Sequence, residues 1–283
     1  MRMQPTIILF GDSITEFAFG KGGQVGWAGL LSSVYTRQAD VLSRGFSGYN
    51  TRHALGVMPS IFGGGVDEGT EKNDDTDVAS SLAPSLFCVV FFGANDASLP
   101  TARQQLSIEE YDRNMRQIVT KLRESTKSYM KQNSSSSQVQ VPIILFTPPP
   151  VSSKAWDHYC TVTSPRPLSP RSNDKSREYG MKVKEIGKEM NCAVVDTFSL
   201  LGGNIDDNHT ISEERYNQYL TDGLHLNGEG NRIVFDGLMD VLKNHHPDLL
   251  PMEDEDEDED EDGGGKYGTN GIPLEEKLWS ELC

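Results

Sequence analysis

Ser13 stands just past the apolar run Thr6-Ile7-Ile8-Leu9-Phe10 and the pair Gly11-Asp12. Asp222 and His225 stand three residues apart near the far end of the chain. A serine hydroxyl is a poor nucleophile unless a neighbouring base takes its proton. An imidazole suits that task near neutral pH, and a carboxylate fixes its tautomer and steadies the imidazolium. Ser13, His225 and Asp222 are therefore expected to serve acyl transfer as nucleophile, base and orienter, with His225 returning the proton to the leaving alcohol. Such chemistry also needs donors for an oxyanion. The backbone N–H groups of Ser13 and Gly48 and the side-chain amide of Asn95 are the candidates. Taken singly, each stretch is also ordinary turn or cap sequence. Their joint occurrence in this order carries the reading.

The elements that must bring these residues together alternate along the chain. Residues 6–10, 41–46, 86–92, 143–146 and 193–195 are short apolar runs rich in β-branched and aromatic side chains, and read as strands. Gly11 is expected to break the first by turning sharply. Helical spacing links Trp27, Leu30, Leu31, Val34 and Tyr35, then Ala54, Leu55, Met58 and Ile61. A capping box of Ser107 and Glu110 opens a helix expected to run to about residue 130. Tyr179, Val183, Ile186 and Met190 mark another, and Asn227 can cap the last, which carries Val234, Leu238, Val241 and Leu242. Five strands alternating with helices predict a doubly wound parallel α/β sheet. Ser13, Gly48 and Asn95 then all follow strand ends, where this architecture binds ligands. Four stretches read as loops: the glycine-rich residues 17–26, a glycine- and acid-rich insertion at 63–80, serines 134–137, and residues 151–170. The last has no clear periodicity and reads as a lid or a surface loop.

Composition narrows the class of partner. The formal net charge is −16, but residues 253–262 are an unbroken acidic run that supplies ten of those charges. There is no basic stripe, so nucleic acid and anionic membrane surfaces are not expected partners. The acidic run and the glycines after it read as a disordered linker. The expected division is residues 1–250 as catalytic domain and 251–283 as acidic tail, with a short terminal helix at 272–282. The N-terminal apolar run stops at Phe10, so no secretory signal is expected, and no run approaches the ~20 apolar residues of a membrane span. Cys88, Cys160, Cys192 and Cys283 form no CxxC, with Cys88 and Cys192 reading as buried thiols, which fits a cytoplasmic protein. His245-His246 ends the last helix, where cations favour the dipole, rather than forming a metal site.

With these residues in place, the chain resembles the GDSL-type, or SGNH, hydrolase family. Gly11-Asp12-Ser13-Ile14 resembles its first block, with isoleucine where the family name has leucine. Gly48 within Arg44-Gly45-Phe46-Ser47-Gly48-Tyr49-Asn50-Thr51 is similar to the second, Gly93-Ala94-Asn95-Asp96 to the third and Asp222-Gly223-Leu224-His225 to the fourth. Residues 44–51 and Thr147-Pro148-Pro149-Pro150-Val151 resemble the isoamyl-acetate-hydrolysing branch. The resemblance implies a flavodoxin-like sheet with helices on both faces and a serine esterase for short-chain, acetate-type small-molecule esters. It implies no metal or organic cofactor. Other readings stay open: a lipase or lysophospholipase of the same family, a flavin- or phosphate-binding flavodoxin-like protein, or an interaction protein. Asp12 opposes the flavin reading by placing a carboxylate where a phosphate would sit. A homodimer, and contact of the acidic tail with basic partners, are also left open.

Overall fold

β-Branched and aromatic side chains favour extended backbone, and Thr6–Gly11 forms β1, buried at all six positions. In chain order come β2 (Gly20–Lys21), β3 (Gln24–Val25), β4 (Asp40–Gly45), β5 (Ser85–Phe91), β6 (Ile143–Phe146) and β7 (Ala193–Val195). The helices are α1 (Ser13–Glu16), α2 (Trp27–Val34), α3 (Thr51–Phe62), α4 (Ile108–Ser125), α5 (Ser153–His158), α6 (Asn173–Glu189), α7 (Thr197–Leu200) and α8 (Gly228–His245). The computed structural model describes residues 4–63, 84–126, 128, 140–164, 169–203 and 213–252. The expected insertion beyond Gly63, the serine-rich loop and the acidic tail with its terminal helix lie outside the described residues. The chain groups into two units, Met1–Pro251 and Met252–Cys283, and every element named here belongs to the first.

Five strands form one parallel sheet in the order β4-β1-β5-β6-β7. With the β2–β3 hairpin set aside, this is the 2-1-3-4-5 order of flavodoxin-like folds, which reverses direction between β1 and β5. Register matters here. Gly11 is level with Gly45 on one side and Phe91 on the other. The segments that carry Ser13, Gly48 and Asn95 therefore leave the sheet at the same height, beside the switch point.

Both faces of the sheet are covered, as parallel strands require. Ile7 and Leu9 face Trp27 and Leu31 of α2 and Val234, Leu238 and Leu242 of α8. Ile8 and Phe10 face Met58 and Phe62 of α3, Met115, Ile118 and Leu122 of α4, and Tyr179, Val183 and Ile186 of α6. The period of two along β1 thus divides the core into two layers.

Several expectations need correction. Gly11 does not break β1 but ends it in register, and its φ is not positive. The constraint is space, because a Cβ there would overlap Thr15 Oγ1 and the Phe91 carbonyl. Val34 is 37% exposed rather than core. The glycine-rich loop contains the small β2–β3 hairpin. Helix α4 stops at Ser125, where the N–H and hydroxyl of Thr126 both turn back to the Leu122 carbonyl. Residues 153–163 are not a loop but α5 followed by a π-helical turn over Tyr159–Thr163. Six residues are too few for periodicity to show.

Candidate active site

The turn after β1 is built by Asp12, whose buried Oδ1 accepts the Ile14 N–H at 3.0 Å and caps α1. Ser13 is thereby the first residue of α1, directly above the sheet edge. Its hydroxyl lies 2.8 Å from His225 Nε2. On the other side of the ring, His225 Nδ1 lies 2.7 Å from Asp222 Oδ2. Asp222 Oδ1 accepts the backbone N–H groups of Leu224 and His225 at 3.0 and 2.9 Å, so this turn orders its own carboxylate. Burial opposes charge on Asp222, yet the hydrogen bonds from His225 and Leu224 outweigh it and hold the carboxyl below its ordinary range. The imidazole is flanked edge-on by Phe17 and Trp156, with ring centroids at 5.3 and 5.8 Å.

The Gly48 loop is fixed from three directions. Glu16 Oε2 accepts the Ser47 N–H at 2.6 Å. Gln104 Nε2 donates to the Gly48 carbonyl at 3.1 Å and is itself held through Oε1 by the Ser169 hydroxyl at 2.9 Å. Asn50 then caps α3. Gly48 has φ +80°, a conformation that excludes side chains, while a Cβ would meet only Gln104 at 3.3 Å. Glycine is therefore required there by backbone angle rather than by crowding. Among the described residues the Gly48 N–H has no acceptor, and the Ser13 N–H, first in its helix, has none within α1.

Asn95 follows β5 and is 3% exposed. Its Nδ2 donates to the Tyr49 carbonyl at 2.8 Å and its Oδ1 accepts from Arg171 at 3.0 Å. Neighbouring Asp96 anchors the turn by accepting the N–H and hydroxyl of Thr51 at 3.0 and 2.6 Å. Burial pushes the Asp96 carboxyl up to about 6 and that of Asp12 to about 7.

The structure therefore brings together all five residues singled out from the sequence: Ser13, Gly48, Asn95, Asp222 and His225. It adds Trp156, Ser169 and Arg171 from a long excursion between β6 and α6. That excursion is stapled at its base, where Asn173 accepts the Val151 N–H and donates to the Val151 carbonyl, each at 2.8 Å. Arg171 is 5% exposed and lies at 5.3 Å over the Trp156 ring. An arginine read from sequence defaults to the surface. The one available signal was its place beside the start of a helix, where a cation is disfavoured.

Two cavities meet at the triad. One, of about 490 Å³, contains Ser13, Gly48 and Asn95 and has polar walls from Gln104, Ser169 and Arg171. The other, of about 570 Å³, is walled by Ile14, Phe17, Ala155, Tyr159 and Leu226. They share His225, Phe17, Tyr159 and Lys21. The arrangement can take a proton from a hydroxyl at Ser13 and offer three N–H groups to a developing oxyanion. Among the described residues no group of three or more His, Cys, Asp or Glu could hold a metal ion. No helix among them is long and apolar enough to cross a membrane.

Residues 9–233 match the GDSL-like Lipase/Acylhydrolase family. The chain is 33% identical over 275 residues to the isoamyl acetate-hydrolyzing esterase 1 homolog of Mus musculus, covering 93% of this chain and 94% of that one. It is 32% identical over 259 residues to a GDSL esterase/lipase of Arabidopsis thaliana, covering 89% and 91%. Among solved structures, a lipase/acylhydrolase from Enterococcus faecalis shares the fold with TM-score 0.55 and 20% identity, over 89% of this chain and all of that one. An acetylxylan esterase from Geobacillus stearothermophilus shares it with TM-score 0.53 and 19% identity, over 86% and 96%. The chain belongs to the GDSL-like lipase/acylhydrolase family and is a carboxylic ester hydrolase.

Proposed function

We propose that this hydrolase cleaves short-chain, acetate-type esters through an acyl-enzyme on Ser13. The observation that carries the reading is the unbroken chain Ser13 Oγ–His225 Nε2–Asp222, at 2.8 and 2.7 Å. Ser13 Oγ attacks the ester carbonyl carbon while His225 Nε2 takes its proton. The carbonyl oxygen, now negative, is received by the N–H groups of Ser13 and Gly48 and by the amide of Asn95. The tetrahedral species collapses, the bond to the alcohol oxygen breaks, and the imidazolium proton goes to that oxygen. Water then attacks the acyl carbon, gives a proton to His225, and the acid leaves as Ser13 recovers its hydrogen. Asp222 keeps the imidazole in the tautomer that both halves need.

The two cavities support a substrate orientation. The leaving oxygen must face His225, which puts the alcohol in the cavity of about 570 Å³ beyond it, where Ile14, Phe17, Ala155 and Leu226 offer apolar wall beside Gln24, His158 and Thr221. The acyl group then lies against Gln104, Ser169 and Arg171. Gln104, Ser169 and both arms of Arg171 are already hydrogen-bonded within the protein, and Trp156, Tyr159 and Leu224 share this wall. The name of the mouse relative, with a two-carbon acyl and a branched apolar alcohol, agrees with that division. Cys88 and Cys192 are free and buried, which supports residence in a reducing compartment such as the cytosol.

The test is a series of p-nitrophenyl esters of increasing acyl length, with Ser13→Ala as control. The acetate should give the highest kcat/KM, Ser13→Ala should lose hydrolysis while staying folded, and a fluorophosphonate should label Ser13. A preference for long acyl chains would overturn the substrate assignment. Full activity in Ser13→Ala would overturn the mechanism.

A further inference from the structure

Acyl transfer by Ser13 does not by itself demand Arg171. This residue precedes Ser172, the N-cap of α6, where the helix dipole disfavours a cation. Its guanidinium is buried, and among the described residues no carboxylate lies within ion-pair distance of it. Its Nε is buried without a hydrogen-bond partner. Asp12, Asp222 and Asp96 offset its charge only from beyond contact, so the burial is costly, and an apolar side chain could cover Trp156 at lower cost.

What the guanidinium does contact is specific. One arm donates to the Ala94 carbonyl and the other to Asn95 Oδ1 at 3.0 Å. A guanidinium has only donors and a backbone carbonyl has only acceptors. Arg171 therefore forces the oxygen of the Asn95 amide towards itself, and the Tyr49 carbonyl forces the nitrogen to the opposite side. The amide cannot flip. One of its two N–H bonds is used by Tyr49, and the other is left for a ligand in the cavity that Asn95 shares with Ser13 and Gly48.

We propose that Arg171 is a positioning residue for oxyanion stabilisation, locking the Asn95 amide through adjacent acceptors and polarising its remaining N–H towards the developing charge. This rests on the acyl-transfer reading above. The cation withdraws electron density from Oδ1, so the N–H at the other end becomes a stronger donor, as in any chain of polarised hydrogen bonds. A full oxyanion profits more from that than a neutral carbonyl does, so the effect belongs to kcat rather than KM.

The experiment is a double-mutant cycle on p-nitrophenyl acetate, with Arg171→Met and Arg171→Lys made in the wild type and in Asn95→Ala. Arg171→Met alone should lower kcat roughly 10- to 100-fold with little change in KM, within the ~10²–10³ that loss of a whole oxyanion donor costs. In the Asn95→Ala background the same change should cost less than about threefold, because the group it positions is gone. If Arg171→Met does not fold, Arg171→Lys carries the comparison, since it keeps the charge but loses the two-armed geometry. Equal losses in both backgrounds, or a raised KM with unchanged kcat, would overturn the proposal. Wild-type protein that neither hydrolyses the ester nor takes up fluorophosphonate at Ser13 would overturn the acyl-transfer reading instead.

Discussion

The Glu16 carboxylate accepts the Ser47 N–H at 2.6 Å, and so joins the helix that carries Ser13 to the loop that carries Gly48. The proposed nucleophile and one proposed oxyanion donor are thus held in a common frame although they follow different strands.

That bond predicts a graded response. Glu16→Gln keeps an acceptor and should retain most of kcat. Glu16→Ala frees the loop and should lower kcat by roughly tenfold, less than the ~10² that a misplacement of about 1 Å can cost. Steady-state kinetics on both variants decide it, and equal activity in the two would remove Glu16 from the positioning of Gly48.

Asn95 separates catalysis from scaffolding. Asn95→Ala should lower kcat by roughly 10²–10³ with KM little changed. Asn95→Asp should stay folded, because its carboxylate can pair with Arg171, and yet lose as much activity, because it has no N–H to give. Melting and kcat would be measured on the same preparations. A large fall in melting temperature with near-normal kcat would assign Asn95 to the scaffold.

Asp12 should make stability depend on pH in an unusual direction. Burial lifts its carboxyl from an ordinary 3.8 to about 7, against the Ile14 hydrogen bond and the charge of Arg171. Between these values the unfolded chain releases a proton that the folded chain keeps. The contribution of Asp12 to stability therefore falls as pH rises through that window and levels off above it. Asp12→Asn retains the acceptor for Ile14 and cannot ionise. Its melting temperature, relative to wild type, should climb between about pH 4 and pH 7 and level off above, and a flat difference would refute the raised carboxyl.

The boundary of the folded unit is also testable. Leu249 is buried in the core layer under α8, and its carbonyl accepts the Tyr35 hydroxyl at 2.6 Å. A chain cut after Pro251 should keep its melting temperature and kcat. One cut after His246 should lose ~2–5 kcal/mol, the usual cost of deleting a buried leucine side chain. Circular dichroism melts of the two truncations measure this directly.

The strands and the convergence of Ser13, His225 and Asp222 were legible in the sequence for a shared reason. Buried parallel strands must be nearly continuous apolar runs, so residues 6–10 and 86–92 stood out, and polar residues directly after them had few places to go but the sheet edge. The half-turn from Asp222 to His225 was legible because its chemistry is local. What stayed hidden depends on contacts distant in sequence. The role of Gln104 exists only because Ser169 holds it and Gly48 receives it. Trp156 sits in a helix too short to show a period. Gly11 was expected for the wrong reason, since its requirement comes from the Phe91 carbonyl of a neighbouring strand.

The paired hydrogen bonds between Asn173 and Val151 make the excursion between β6 and α6 a closed loop on the sheet. The two ends of the segment are fixed to each other, so a change of length or sequence between them is not transmitted to β6 or α6. Trp156 and Tyr159, which lie within it, wall the cavities, while Ser13, Asp222 and His225 lie outside it. A graft of residues 151–173 between relatives should therefore move as one cassette both the cavity walls of Trp156 and Tyr159 and, through Ser169 and Arg171, the support of the proposed Gly48 and Asn95 donors.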